Sequence, residues 1–514
     1  MSMVRAKSIR MRAFKSRVFM VDNFGQKWGL LIYRFRNIFT FESKIGYMRD
    51  TLAFSLFSVL NERERLHFGK FLKSPYFNKR PDVFKLYHFF TQESKNEFKK
   101  LTHENAWAAL YPDRPYDRVQ MNYALHFFCE RAEQFLACEE LLADTFQNQL
   151  LRCRAFRRRG LLAHFDTNAR KLVRDHTASP LRNAGWWLFE YQLQNEIFAR
   201  QALQRRGGGN NLTQITTALA NFFLLENMRW SATAAAQASL SRTIQPMVPL
   251  STEALSVASQ TPTAENPALA LVYAGLQALA LPDDESHFVR LKTLLRQHVA
   301  LFPPAEARDL YMTAINFAIR RHNRGNRDYT REAFDLYREA FDKGVLSENG
   351  QLPPYTFINI LNLAQLLGEH DWSRAFLEQG RPLLPPAERE NTYRYALAGY
   401  HFRRSEYEPV LTLLREVDFS DIFIQLDARK MLLRSYYELG EWPALASLLD
   451  SFKAFLNRHK ALGYHRDSYL NLIKFTQKLV KTTGKGRGAR KRLAVRIQAA
   501  EALAEREWLL GKLH

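Results

Sequence analysis

From Thr51 onward, apolar residues recur at i, i+3, i+4 and i+7, the spacing that gathers them on one face of an α-helix. Asn61-Glu62-Arg63-Glu64 has capping-box spacing and predicts a helix with Leu66, Phe68, Phe71 and Leu72 on its stripe. Pro75 disfavours helical angles at Ser74 and ends it. Pro81 suits the first turn of the next helix, which presents Val83, Phe84, Leu86, Tyr87 and Phe90. Thr102 begins a short helix to Tyr111, and a long one follows from about Asp117 to Leu142. The pattern then predicts helices over 144–159, 161–176, 181–204, 212–240, 250–260, 267–281 and 285–302. Short turns between them imply antiparallel neighbours. Helix 181–204 carries Trp186, Trp187, Phe189, Tyr191 and Phe198, too many aromatics for one stripe. Either it is buried on more than one side, or the Trp pair is a ligand platform.

Between 305 and 460 the pattern repeats. Aromatics that follow a turn stand at Trp372, Tyr407 and Trp442, each 35 residues from the last, with Tyr329 43 residues before Trp372. A fixed period near 35 is the signature of stacked helical hairpins that bury their apolar faces against one another. In MLLRSYYELGEWPALASLLDSF, the residues Tyr436, Gly440, Trp442 and Leu445 stand where a tetratricopeptide repeat places its first-helix aromatic, turn glycine, second-helix aromatic and packing residue. The region is similar to a tetratricopeptide superhelix, although no proline closes each unit at a constant place. The fold class expected is all-α, with antiparallel hairpins stacked into a tetratricopeptide-like α-α superhelix.

Over residues 48–514 the chain also resembles a family of bacterial helical-repeat proteins of the phylum Bacteroidota. FGKFLKSPYFNKR (68–80), ALYPDRPYDR (109–118), NRGNRDYTREAFDLY (323–337), LLGEHDW (366–372) and AEREWLL (504–510) carry the resemblance. It implies a helical fold and a cytoplasmic setting, and brings no catalytic residue with it.

Composition agrees with helices: 22 glycines and 19 prolines in 514 residues lie below the usual ~12%. The formal charge of +22 suggests at first a polyanionic partner. Its placement weakens that reading. Residues 1–47 hold ten basic and two acidic residues, and residues from 474 onward hold eleven and three, so the body is nearly balanced. The regular pattern opens at Met48, which we take as the expected start, with 1–47 a disordered basic arm or a misassigned extension. The expected organisation is then an N-terminal helical domain (48–206), middle hairpins (212–304), tetratricopeptide-like repeats (305–473), and a basic loop with a C-terminal capping helix (474–514).

Three cysteines without CxxC spacing, Cys129, Cys138 and Cys153, argue against a disulfide framework or a zinc site and suit a reducing cytoplasm. The longest apolar stretch, Pro267 to Leu281, is too short for a membrane span. No HExxH, GxSxG or GxGxxG motif occurs, so no catalytic, metal or cofactor residue is assigned. The helix phase of the repeats directs Asn359, Asn362, Tyr395, Phe402, Arg403, Lys430, Arg434 and Tyr437 towards the concave face. That mixture suits an acidic peptide or a terminal carboxylate. A candidate basic patch comprises Lys481, Lys485, Arg487, Arg490, Lys491 and Arg492, in a loop read from Thr482 to Arg492.

The leading functional expectation is a non-enzymatic scaffold or adaptor for protein segments. Nucleic-acid binding comes second: Pro354 to Phe376 also resembles a pentatricopeptide RNA-binding unit, but that outline recurs in no other repeat. An enzyme with a site that no motif reveals is the third reading.

Overall fold

The computed structural model describes residues 48–203, 210–238, 252–415, 421–459, 462–482 and 487–513, and among them the regular structure is helical, with no strand. The extension 1–47, the glycines 207–209 and Lys485 of the basic patch lie outside the described residues. The chain forms two compact units. One takes residues 48–180 with Gly185–Ala220, the other Leu181–Ala184 with residues 221–513.

The N-terminal unit comprises α1 (Leu52–Ser58), α2 (Glu62–Lys73), α3 (Pro81–Lys95), α4 (His103–Leu110), α5 (Arg118–Ala143), α6 (Thr145–Arg158), α7 (Leu162–Ala178), α8 (Ala184–Gln201) and the start of α9 (Leu212–Ala238). The expected capping box opens α2: the Glu64 amide donates to Asn61 Oδ1 at 3.0 Å, and the Asn61 amide donates to Glu64 Oε2 at 2.8 Å. Thr102 and Asp117 cap α4 and α5 without the return bond, Thr102 accepting from the Asn105 amide and Asp117 from the amides of Val119 and Gln120. Phe57, Phe68, Phe90 and Phe128 are wholly buried between α1, α2, α3 and α5. Each contributes on the order of 1.5–3 kcal/mol by leaving water. Gly69 of α2 lies under Tyr87, whose hydroxyl would stand 2.5 Å from any Cβ there, so only glycine permits this approach. A second cluster of Leu150, Cys153, Phe165, Leu172, Phe189 and Leu193 binds α6, α7 and α8.

The C-terminal unit continues with α10 (Thr252–Gln260), α11 (Pro267–Ala280), α12 (Glu285–His298), α13 (Pro304–Asn323), α14 (Asp328–Asp342), α15 (Pro354–Leu366), α16 (His370–Gly380), α17 (Arg389–Arg403), α18 (Tyr407–Arg415), α19 (Ile422–Leu439), α20 (Trp442–Arg458), α21 (Tyr464–Thr482), α22 (Arg487–Gln498) and α23 (Arg506–Gly511). Tyr329, Trp372, Tyr407 and Trp442 fall in the first turns of α14, α16, α18 and α20, so the 35-residue spacing is the spacing of successive helix pairs. Gly440 ends α19 in the left-handed region, φ 73°, and returns its amide to the carbonyls of Tyr436 and Tyr437. No helix among the described residues is long and apolar enough to cross a membrane.

Two expectations change. The segment read as a helix over 285–302 leaves α-geometry at His298 and finishes as a 3₁₀ turn, Val299–Leu301, ahead of Pro303 and Pro304. The loop read from Thr482 to Arg492 is helical from Arg487, which sets Arg487, Arg490, Lys491 and Arg492 on α22. Arg, Lys, Ala and Leu are strong helix formers, and Leu493 and Ile497 give α22 a buried side, so one glycine at 488 does not keep it open.

Candidate functional site

Four helices of the C-terminal unit bring polar and aromatic side chains together. On α19, Asp427, Lys430, Arg434 and Tyr437 recur at helical spacing and share one face. Tyr395, Phe402 and Arg403 come from α17, Tyr469 from α21, Trp508 from α23 and Glu505 from the residue before it. Glu505 holds a left-handed backbone, φ 53° and ψ 34°, at the N-cap of α23.

The contacts form a chain. Tyr395 donates its hydroxyl to Asp427 Oδ2 at 2.8 Å, and Asp427 Oδ1 pairs with Lys430 Nζ. Glu505 lies 3.9 Å from Lys430 Nζ and 3.1 Å from Arg434 Nη1. The Arg434 guanidinium stands 5.1 Å from the Phe402 ring centre and 5.8 Å from that of Trp508. Tyr437 meets Trp508 edge-on at 5.2 Å, and the Trp508 indole donates to Glu438 Oε1 at 2.6 Å. Asp427, Lys430 and Glu505 each keep only about a fifth of the side chain accessible.

The charges hold one another ionised. Burial would neutralise Lys430, but Asp427 and Glu505 outweigh it and raise its pKa above the ordinary lysine value. Burial likewise works against the Asp427 carboxylate, while Lys430 and the Tyr395 hydroxyl hold its pKa below the ordinary value. Tyr469 is pushed up to about 12 by burial, with Lys430 opposing and Asp427 and Glu505 adding to the effect. Arg403 differs from the rest. It is exposed at the surface yet closely surrounded, and that crowding depresses its pKa while Asp427, Glu505 and Tyr395 pull the other way. Among the described residues it forms no hydrogen bond or ion pair. The Arg434 Nε is buried without a hydrogen-bond partner. Three cations against two carboxylates, with one guanidinium unengaged, can hold an anionic group through charge-assisted hydrogen bonds.

Six of the eight residues expected in the groove meet here: Tyr395, Phe402, Arg403, Lys430, Arg434 and Tyr437. Asn359 is buried on α15 and shares a hydrogen bond with Tyr337 of α14, and Asn362 is half-buried one turn on. Asp427, Tyr469, Glu505 and Trp508 were not anticipated. Asp427 was legible as an i, i+3 partner of Lys430, whereas Glu505 arrives from 71 residues beyond Arg434 with no local signal. Of the basic patch, Lys481, Arg487, Lys491 and Arg492 are exposed and Arg490 half-buried. Trp186 is no open platform: His176 stacks on its ring at 4.2 Å, and its indole donates to the His176 carbonyl at 3.2 Å.

Among the described residues no group of three or more His, Cys, Asp or Glu side chains is placed to hold a metal ion. Comparison with protein families, with curated proteins and with solved structures finds no match to this chain.

Proposed function

We propose that the paired helices from α13 to α20 form a tetratricopeptide-like α-α superhelix, and that the protein is a non-enzymatic, cytoplasmic scaffold or adaptor holding protein segments against the face built by α17, α19 and α21. The resemblance to the helical-repeat proteins of Bacteroidota supports the same architecture. One observation carries the reading: Arg403, an exposed guanidinium without a hydrogen bond or ion pair, acts on the same Asp427 and Glu505 that Lys430 and Arg434 engage, and Arg434 in turn lies against the rings of Phe402 and Trp508. An exposed guanidinium that no protein group engages is open to a ligand carboxylate through charge-assisted hydrogen bonds. The aromatic wall offers apolar area to the residues beside that carboxylate.

Lys430 and Arg434 already serve Asp427 and Glu505, so reversing their charge would strain the fold as well as the site. Arg403 is the cleaner probe. Fluorescence polarisation of the full chain against a library of acidic and free-carboxylate peptides is expected to yield binders that Arg403→Glu weakens at least about tenfold, some 1.4 kcal/mol. The same peptides amidated at their carboxylates should lose binding. Absence of any peptide binder, or binders indifferent to Arg403→Glu, would overturn the reading.

A further inference from the structure

The charge that matters in the body of the chain is local. Between Leu150 and Arg174, on α6 and α7 of the N-terminal unit, there are eight basic residues and one acid. The acids within reach are already engaged. Glu196 of α8 accepts from Arg154 Nε at 2.6 Å and pairs with Arg157 Nη2 at 2.8 Å. Asp166 takes both arms of Arg200, at 3.0 and 2.8 Å, and Arg174 is matched by the adjacent Asp175.

Arg152, Arg158, Arg159, Arg170 and Lys171 are left over. All five are exposed, and among the described residues none has an acidic partner. Arg159 and Arg170 donate only to carbonyls of their own helices, those of Ala155 and Asp166. Gly160, at φ 72°, turns the chain back between the two helices. With ~1.5 Å rise per residue on an antiparallel pair, Arg152 comes level, within about a turn, with Arg170 and Lys171. Arg158 and Arg159 close the patch at the turn.

Five like charges on so short a hairpin repel one another and lower the stability of the unit, and a polyanion relieves that repulsion. Four of the five are arginines, whose planar forks match phosphate oxygens. The hairpin exposes no Phe, Tyr or Trp on which an unpaired base could stack: Phe165 is buried, Phe146 and Phe156 are half-buried, and the one exposed ring, His164, lies against Phe156 at 5.6 Å. Binding to single strands depends on such platforms. We infer that the α6–α7 hairpin docks on the phosphate backbone of duplex nucleic acid, without reading its sequence. This surface is separate from the carboxylate site at Arg403 and does not depend on it.

The test is fluorescence anisotropy of the full chain with short DNA and RNA duplexes and a single strand of equal length, together with sedimentation with phosphatidylserine vesicles. Five phosphate contacts give a slope of log affinity against log salt of about −4.5 on DNA, a loss of several hundred-fold between about 50 and 200 mM. Arg152→Ala, Arg158→Ala and Arg170→Ala together, at exposed positions that leave the core intact, should reduce the steepness of that slope by about 2.7. Lys481→Ala, Lys491→Ala and Arg492→Ala together should leave it unchanged. A weaker slope on DNA and RNA duplexes alike supports backbone recognition. Failure to bind duplex at low salt, an unchanged slope in the α6–α7 variant, or preference for the single strand or the vesicles would each overturn it.

Discussion

The Tyr395 hydroxyl on α17 donates to Asp427 on α19 across 2.8 Å, tying the first helix of one pair to the first helix of the next. The bond is one link in a polar run through Lys430 to Glu505, and its members titrate in opposite senses. The Asp427 pKa is lowered in the folded chain, so its contribution is complete above the unfolded value near ~3.9 and disappears as pH falls through the folded pKa. The Lys430 pKa is raised, so its contribution is complete below ~10.4 and disappears as pH rises through the folded pKa. Tyr395→Phe should cost about 1–2 kcal/mol and Asp427→Asn about 2–3 kcal/mol, in urea titrations at neutral pH. The Asp427→Asn deficit should shrink below about pH 4. A deficit constant down to pH 3 would show that the carboxylate charge is not what stabilises this contact.

Trp508 anchors the C-terminal segment. It is 8% exposed, meets Tyr437 edge-on and bonds Glu438, which also takes Lys512 at 2.6 Å. Trp508→Ala should destabilise the C-terminal unit by about 3–5 kcal/mol, and Trp508→Phe by less, because the ring contact with Tyr437 survives. Limited proteolysis is expected to cut residues 499–513 of the alanine variant well before those of the wild type. Equal resistance of both proteins would detach Trp508 from this role.

Gly380 ends α16 where a Cβ would stand 2.5 Å from Cε2 and 2.9 Å from Cδ2 of Phe357. Phe357 is fully buried and stacked on Phe376 at 5.0 Å, so it has little room to yield. Gly380→Ala should therefore cost about 1–3 kcal/mol despite alanine's better helix propensity. Phe357→Leu in the same chain should recover part of the loss, as a double-mutant cycle on thermal unfolding would reveal. Additive losses in that cycle would mean the two sites do not meet.

What could be read in advance was whatever the physics makes local. The capping box at Asn61, the left-handed stop at Gly440 and the spacing of Trp372, Tyr407 and Trp442 each depend on residues a few positions apart, and each reappears in the fold. Six groove residues converge because their spacing sets the face of α17 and α19. The two carboxylates that temper the site were not foreseen. Asp427 shows in the sequence only as an i, i+3 neighbour of Lys430, and Glu505 reaches Arg434 only because α23 packs back onto α19, a tertiary event with no periodic trace. The same limit hid the α6–α7 patch. Its charge is visible in the sequence, but that Glu196 of α8 engages Arg154 and Arg157 while Arg200 of α8 occupies Asp166, leaving five exposed cations without an acid, depends on how α8 packs.

Asp309 on α13 titrates in the sense opposite to Asp427. Burial raises its pKa to about 6, with Arg308 and Arg229 opposing and Glu306 and Glu348 reinforcing. Below about pH 4 the carboxyl is protonated in folded and unfolded chains alike and has no effect on stability. Between about pH 4 and 6 the unfolded chain ionises first, so the folded state loses stability, and above that range the deficit is constant. Two pKa units correspond to about 2.7 kcal/mol at most. The side chain is 33% accessible, and screening by water reduces this to about 1–2 kcal/mol. Asp309→Asn should then raise the midpoint of thermal unfolding at pH 7.5 and leave it unchanged at pH 3. Glu306 beside it is also raised by burial and adds to the rise at Asp309. An equal gain at both pH values would point to packing rather than ionisation, and a loss at pH 7.5 would mean that the ionised carboxylate stabilises the fold through Arg308 and Arg229.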